Sequence, residues 1–183
     1  MSVYNANLKE WWLSLSPAWQ QVLIEAMELE NEFQYTDLEY VFTIRELHAV
    51  ELFDLSPLYY LPQLEILYLN HCVVADYSPL RALGALRELH LTYCNDPDVG
   101  LIVGLQQLEV LDISYPRGEL HHQEDLMHLS QLKEVYLNAC KLESLAPLLS
   151  LDRLELACMY FNPIGAYEVQ SFQAIRSDCR LMC

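Results

Sequence analysis

The stretch Leu61-Pro-Gln-Leu64-Glu-Ile-Leu67-Tyr-Leu69-Asn-His-Cys72 is followed by a close copy of itself, Leu83-Gly-Ala-Leu86-Arg-Glu-Leu89-His-Leu91-Thr-Tyr-Cys94. Both fit the template LxxLxxLxLxxC. The pattern continues at Leu105, Leu108, Leu111, Ile113 and Pro116, and again at Leu129, Leu132, Val135, Leu137 and Cys140. A weaker copy precedes them at Val41, Ile44, Leu47, Ala49 and Leu52. The spacer repeats as well, since Asp54-Leu-Ser-Pro-Leu58 matches Asp76-Tyr-Ser-Pro-Leu80. A further copy admits two registers. Leucines alone favour Leu148, Leu151, Leu154 and Leu156, whereas Ser144-Leu-Ala-Pro147-Leu148 matches the spacer and places Leu151, Leu154, Ala157, Met159 and Asn162 on the template. The second register uses more positions and keeps the spacing, so it is preferred. Central strand positions are then Leu47, Leu67, Leu89, Leu111, Val135 and Ala157, with Cys179 predicted one period later, at separations of 20, 22, 22, 24, 22 and 22 residues.

A repeat of this length, apolar at fixed positions, marks stacked supersecondary units. In the LxL core of the template a short strand sends its two apolar residues inward and the residue between them outward, because side chains alternate. The remaining leucines line the interior where the chain turns back. One coil alone cannot bury that surface, so coils must stack into a parallel solenoid.

The stretch from Leu38 to Asn162 resembles the leucine-rich repeat family. Its D-x-S-P-L spacers and 22-residue period are similar to the short bacterial type seen in internalins. The resemblance implies an α/β leucine-rich repeat solenoid, with a parallel β-sheet on the concave face and short helical, 3-10 or irregular convex segments. The family often carries Asn at the last template position. Here only Asn162 does so, while Cys72, Cys94 and Cys140 stand in its place, along with Leu52 and Pro116. Cysteine suits the site as a small buried residue with a weak S–H donor.

An open solenoid needs covered ends. Residues 1–37 are expected to form a helical N-terminal cap, 38–162 the repeats, and 163–183 a C-terminal cap, in one domain overall. Ser16-Pro17 reads as an N-cap followed by Pro at the first helical position, and Trp19, Val22, Leu23 and Ala26 have helical spacing. Thr36-Asp-Leu-Glu39 reads as a capping box, and Trp11, Trp12 and Trp19 are expected to plug the first rung. At the far end Val169, Phe172 and Ile175 predict a helix over the last full coil.

The chain carries 10 Lys+Arg against 26 Asp+Glu, a net charge of −16. That disfavours nucleic acid, whose affinity comes from cations neutralising phosphates, and anionic bilayers for the same reason. Met1 to Pro17 shows no secretory pattern, no CxxC pair suggests zinc, and a cytoplasmic monomer or weak homodimer without cofactor is expected. The exposed edge strand is the point where self-association would occur.

With the register fixed, the outward face can be read. Its middle column is His48, Tyr68, His90, Asp112, Tyr136 and Cys158, preceded by Glu46, Ile66, Glu88, Val110, Glu134 and Leu156. On the later side come Val50, Asn70, Thr92, Ser114, Asn138 and Tyr160, then His71, Tyr93, Tyr115 and Phe161. Tyrosine, histidine and asparagine among carboxylates make a recognition surface. The expected contact residues are Tyr68, His90, Asp112, Tyr136, Asn70, Tyr93, Tyr115, Asn138, Glu88 and Glu134, meeting a protein partner of basic character. An inhibitor or antitoxin-like role, masking a basic surface on another protein, is the alternative. Hydrolytic or metal chemistry at His90, Asp112 and Ser114 ranks lower, since no nucleophile elbow or oxyanion hole is evident. His121, His122 and His128, with Glu119, Glu124 and Asp125, form a denser cluster that reads first as a solvated loop. No Gly-rich phosphate loop occurs.

Overall fold

The structure, a computed structural model, describes residues 3–183, with side chains from Asn7 onward in the first helix. Seven strands pair in chain order into one parallel sheet. They are β1 (Glu46–Val50), β2 (Ile66–Asn70), β3 (Glu88–Thr92), β4 (Val110–Asp112), β5 (Glu134–Tyr136), β6 (Leu156–Cys158) and β7 (Arg180–Met182). Short 3-10 turns return the chain along the convex side, at Ser56–Tyr60, Ser78–Ala82, Val99–Leu101, Gln123–His128 and Ala146–Leu148. The spacer motif explains why the turns begin where they do. Asp54 accepts from Ser56 N at 2.9 Å and Ser56 Oγ at 2.7 Å, and Asp76 repeats this with Ser78 at 2.8 and 2.7 Å. The rings of the buried Pro57 and Pro79 then hold their own φ near the helical value.

Strand register follows the template through six strands, with Leu47, Leu67, Leu89, Leu111, Val135 and Ala157 side by side. The last step differs. Ala157 faces Leu181, so Leu181 and not Cys179 is the central residue of β7. The cause is α3 (Ala166–Ile175), a full α-helix in place of a 3-10 turn. An α-helix climbs about 1.5 Å per residue against about 2.0 Å for 3-10, so spanning the same path takes more residues.

Template leucines are fully buried, and Cys72, Cys94 and Cys140 lie among them. The thiols occupy the asparagine's place and part of its bonding. Asn162 Nδ2 donates to Leu137 O at 2.7 Å, while its Oδ1 accepts from Leu142 N at 3.0 Å. Three coils earlier the two roles are divided. Cys94 Sγ donates to Leu69 O at 3.3 Å, and the neighbouring Asn95 Oδ1 accepts from Val74 N at 2.8 Å. Cys140 Sγ likewise donates to Ile113 O at 3.3 Å. All six thiols are unpaired, and only Cys183 is exposed.

The ends are closed by different means. At the start lie α1 (Val3–Ser14) and α2 (Pro17–Ala26), the latter capped by Ser16 Oγ accepting from Trp19 N at 3.3 Å. Trp19 is buried and donates through Nε1 to Asp54 O at 2.7 Å, tying α2 to the first coil. Trp12 stacks on Phe33, whereas Trp11 leans on Tyr60 and stays half-exposed at the edge of an aromatic cleft. The capping box falls elsewhere than Thr36 and Glu39. It starts the 3-10 segment Tyr35–Thr43, where Gln34 N donates to Asp37 Oδ2 at 2.7 Å. At the far end Phe172 of α3 is buried over the last coil, but Ile175 points to solvent at 64% exposure, contrary to the spacing-based reading. The working contact there is Arg176. Its guanidinium is buried and donates to the carbonyls of Leu148, Leu151 and Leu154 at 3.4, 2.6 and 3.0 Å.

Candidate functional site

The concave face is ordered by one backbone device repeated at five successive steps, from β1/β2 to β5/β6. Glu65 N and Ile66 N both donate to Arg45 O, at 2.7 and 2.9 Å. Arg87 and Glu88 share Glu65 O, Glu109 and Val110 share Arg87 O, Lys133 and Glu134 share Glu109 O, and Glu155 and Leu156 share Lys133 O. Two consecutive residues opposite one carbonyl is the arrangement of a β-bulge, and it interrupts strict alternation. Two neighbouring columns therefore come to lie side by side at the start of the strands.

The first of these columns is Arg45, Glu65, Arg87, Glu109, Lys133 and Glu155, alternating in sign at every rung. Arg45 pairs with Glu65 at 3.3 Å, and Glu109 is held between Arg87 and Lys133, the latter at 2.6 Å. Between these two cations the Glu109 carboxyl falls to about 2, from an ordinary 4.5. A depressed carboxyl adds stability that is present above its unfolded value and lost as pH falls from about 4.5 toward 2. An NMR titration should find Glu109 well below the other glutamates, and Lys133→Ala should move it back upward. The second column, Glu46, Ile66, Glu88, Val110, Glu134 and Leu156, alternates carboxylate with aliphatic at the same rungs. The combined pattern is thus a two-coil period. Sequence reading had the second column but not its phase relation to the first, which the dipeptides Arg45-Glu46, Arg87-Glu88 and Lys133-Glu134 spell out.

Two of the three glutamates of the second column, Glu46 and Glu134, are bonded to the middle-column residue two places later, while the buried His90 Nε2 beside Glu88 has no hydrogen-bond partner among the described residues. Glu46 Oε1 and His48 Nε2 are 2.6 Å apart, Glu88 approaches His90 Nε2 at 3.9 Å, and Tyr136 donates its hydroxyl to Glu134 at 2.6 Å. That bond, with burial, pushes the Tyr136 hydroxyl up to about 12. The rings of His48, Tyr68 and His90 stack at 4.3 and 4.2 Å between centroids. Burial, then the charges of Glu88 and Glu46, raise the Tyr68 hydroxyl above its usual value. Asp112 continues the column 3.7 Å from His90 Nδ1. Burial pushes its carboxyl up, yet the nearby His90 imidazole and the hydrogen bond from Ser114 outweigh this and leave it below the usual range.

A second aromatic row stands on the rim. Glu51, His71, Tyr93, Tyr115, Ala139 and Phe161 follow their strands with φ of 57°, 55°, 57°, 58°, 57° and 62°. This left-handed turn costs a non-glycine residue about 1–2 kcal/mol. None of the glycines takes it among the described residues. His71, Tyr93 and Tyr115 stack at 4.7 and 5.2 Å, and Arg117 Nη2 donates to His71 Nδ1 at 2.8 Å. In both rows the inner rings are covered on their faces by neighbours. They turn edges and hydroxyls outward, and ring edges carry the positive end of the quadrupole. Cations therefore find no open face on these inner rings and are met by oxygen atoms, the carboxylates foremost.

Between these rows the later column satisfies itself. Thr92 donates to Asn70 Oδ1, Asn138 Nδ2 donates to Ser114 Oγ at 3.1 Å, and Asn138 Oδ1 accepts from Tyr160 N at 2.9 Å. Asn138 thus spends its amide on the sheet itself. The same bonds bear on hydrolytic chemistry, since Ser114 is buried and its hydroxyl also accepts from Asn138 N at 3.2 Å. Asp112 is directed at Ser114 N, 2.8 Å away. His90, Asp112 and Ser114 share a face without forming a relay from base to nucleophile.

In the long coil, His122 pairs with Asp98 at 2.8 Å, which raises the imidazole's pKa, and Asp98 also accepts from Gly100 N at 2.8 Å. His128 lies 3.8 Å from Asp125. Among the described residues no group of three or more His, Cys, Asp or Glu side chains is placed to hold a metal ion. No helix among them is long and apolar enough to cross a membrane.

No family model and no curated protein matches this sequence. Solved structures do match by shape. An internalin (inlF) of Listeria monocytogenes superposes over 91% of this chain and 55% of its own, at 17% identity and TM-score 0.66. Internalin C2 of the same organism covers 91% of this chain and 93% of its own, at 20% identity and TM-score 0.60. A leucine-rich repeat protein of Leptospira interrogans covers 83% and 40%, at 18% identity and TM-score 0.61. The chain therefore spans about half the length of the first of these and less of the third. In fold, the chain is a leucine-rich repeat solenoid similar to those of the internalins.

Proposed function

We propose that the chain is a non-catalytic protein-interaction module that receives a basic partner on its concave face. One observation carries the reading. Glu46, Glu88, Asp112 and Glu134 line a continuous sheet face around pre-stacked aromatic rings, while the nearby Arg45, Arg87 and Lys133 are already taken up by Glu65 and Glu109. The face offers net negative charge on a rigid frame, and rigid tyrosines give contact area at low entropic cost. A net charge of −16 would speed encounter with a cationic partner and make association salt-sensitive. Unpaired thiols inside the coils fit a reducing compartment such as the cytoplasm.

The test is the double substitution Tyr68→Ala with Tyr136→Ala, used as bait for the native partner. Both side chains are partly exposed, so the chain should stay folded, with the thermal midpoint lowered by no more than a few degrees for the lost stacking and hydroxyl bond. Capture should fall about tenfold or more if these rings are central contacts. Recovery equal to that of the unaltered chain would move the site off this face.

A further inference from the structure

The two-coil alternation of the second column constrains the shape of what binds it. We infer that the partner's docking element is an α-helix lying along the solenoid axis, across the strands, with Lys or Arg at i, i+7 and i+14 and apolar residues midway between them. The inference rests on the concave-face reading above and adds the geometry of the occupant.

Parallel strands stand about 4.8 Å apart, so Glu46, Glu88 and Glu134 recur at about 9.6 Å, with Ile66 and Val110 at the half-steps and Leu156 beyond. Ring stacking of 4.2–4.3 Å along His48, Tyr68 and His90 shows a similarly close step on the same face. A ligand that satisfies this column must alternate cation and apolar group at that interval on one side.

Three backbones can be compared. An extended strand presents one face every about 6.7 Å, which matches neither interval. A polyproline helix brings every third residue to the same side at about 9.3 Å, which fits the carboxylates. Its intervening residues point away, however, and nothing reaches Ile66 or Val110. An α-helix rises about 10.5 Å over seven residues and returns to the same face halfway, at i+3 and i+4, after about 5 Å. Only this backbone supplies both members of the alternation. The residual mismatch is about 1 Å per pair of coils, within the reach of a flexible Lys or Arg stem.

The width agrees. From Glu46 to Val50 the strand covers about 13 Å, and a helix with side chains is about 10–12 Å across. The neutral ladder of Arg45, Glu65, Arg87 and Glu109 bounds one flank, and the rim of His71, Tyr93 and Tyr115 bounds the other.

Two synthetic helical peptides of about 21 residues in an Ala/Gln host provide the test, a length at which such helices begin to hold in water. One carries Lys at every seventh position with Leu at the third and fourth positions between. The other has the same composition, with Lys at every fifth position so that the charges spread around the helix. Binding to the full chain is read by fluorescence anisotropy, and helix content by circular dichroism of the mixtures. The first peptide should bind at least about tenfold more tightly and gain helicity. That preference should vanish in a Glu46→Gln, Glu88→Gln, Glu134→Gln chain whose thermal midpoint is unchanged. Equal binding of the two peptides, or a preference surviving in the triple variant, would overturn the helical geometry. If neither peptide binds while native capture still depends on Tyr68 and Tyr136, the helix falls and the concave-face reading stands. If capture is also independent of those tyrosines, both fall.

Discussion

Replacing Arg176 by Met should cost about 3–5 kcal/mol of unfolding free energy, the size of effect that follows from breaking a buried charged network. The side chain sits under the last coil with three backbone carbonyls, those of Leu148, Leu151 and Leu154, as acceptors, and Asp178 receives its Nε and Nη2 at 3.0 and 3.1 Å. Methionine fills similar space and offers no donor, so the carbonyls would lose a partner that water cannot replace. Asp178→Asn should cost far less, because the carboxylate is mostly exposed and screened. Arg176→Lys should fall between, since one ammonium cannot match a planar fork of donors. Urea denaturation of the three variants orders them. Asp178→Asn proving as damaging as Arg176→Met would place the stabilisation in the ion pair instead of the carbonyls.

Trp19→Ala should be of comparable size, about 3–5 kcal/mol, at the opposite end. The indole is buried between α2 and the first coil, and its loss leaves both a cavity and an unpaired Asp54 carbonyl. Trp19→Phe separates the two effects, keeping most of the volume and removing the bond to Asp54. Asp54 also starts the first convex turn through Ser56, so damage should spread into that turn. Hydrogen exchange should show the amides of Ser56, Leu58 and Leu61 losing protection before those near β6. Uniform loss along the solenoid would mean that the coils unfold as one unit.

The strands and inward leucines were legible because a single spacing, repeated, fixes both the face and the register. Leu67, Leu89 and Leu111 needed nothing more than counting. Cys179 failed as a strand centre because counting assumes a constant coil, and α3 changes the length of chain needed to return. Ile175 failed for a related reason: helical spacing says which residues share a stripe but not how far the helix extends beyond what it covers. Arg176 left no signal of its own, since a lone arginine after a helix reads as solvated until three carbonyls are seen around it. Register also places Tyr68, His90, Asp112 and Tyr136 in one column, but Cys158 at its end and Ser114 in the later column are buried, which spacing alone does not reveal. Alternation at period two hid the column at Arg45, Arg87 and Lys133, which exists because two amides crowd onto one carbonyl at each step from β1/β2 to β5/β6.

The ladder of Arg45, Glu65, Arg87, Glu109, Lys133 and Glu155 has a property of parity. Excising the coil that carries Arg87 would set Glu65 against Glu109, two carboxylates on adjacent strands. Duplicating it would set Arg87 against an identical arginine. Like charges directly opposite are destabilising. Removing or adding coils in pairs keeps every contact of opposite sign. The ladder therefore keeps its pairing only when coils change two at a time, and each like-charged contact that an odd change creates should cost about 0.2–1 kcal/mol.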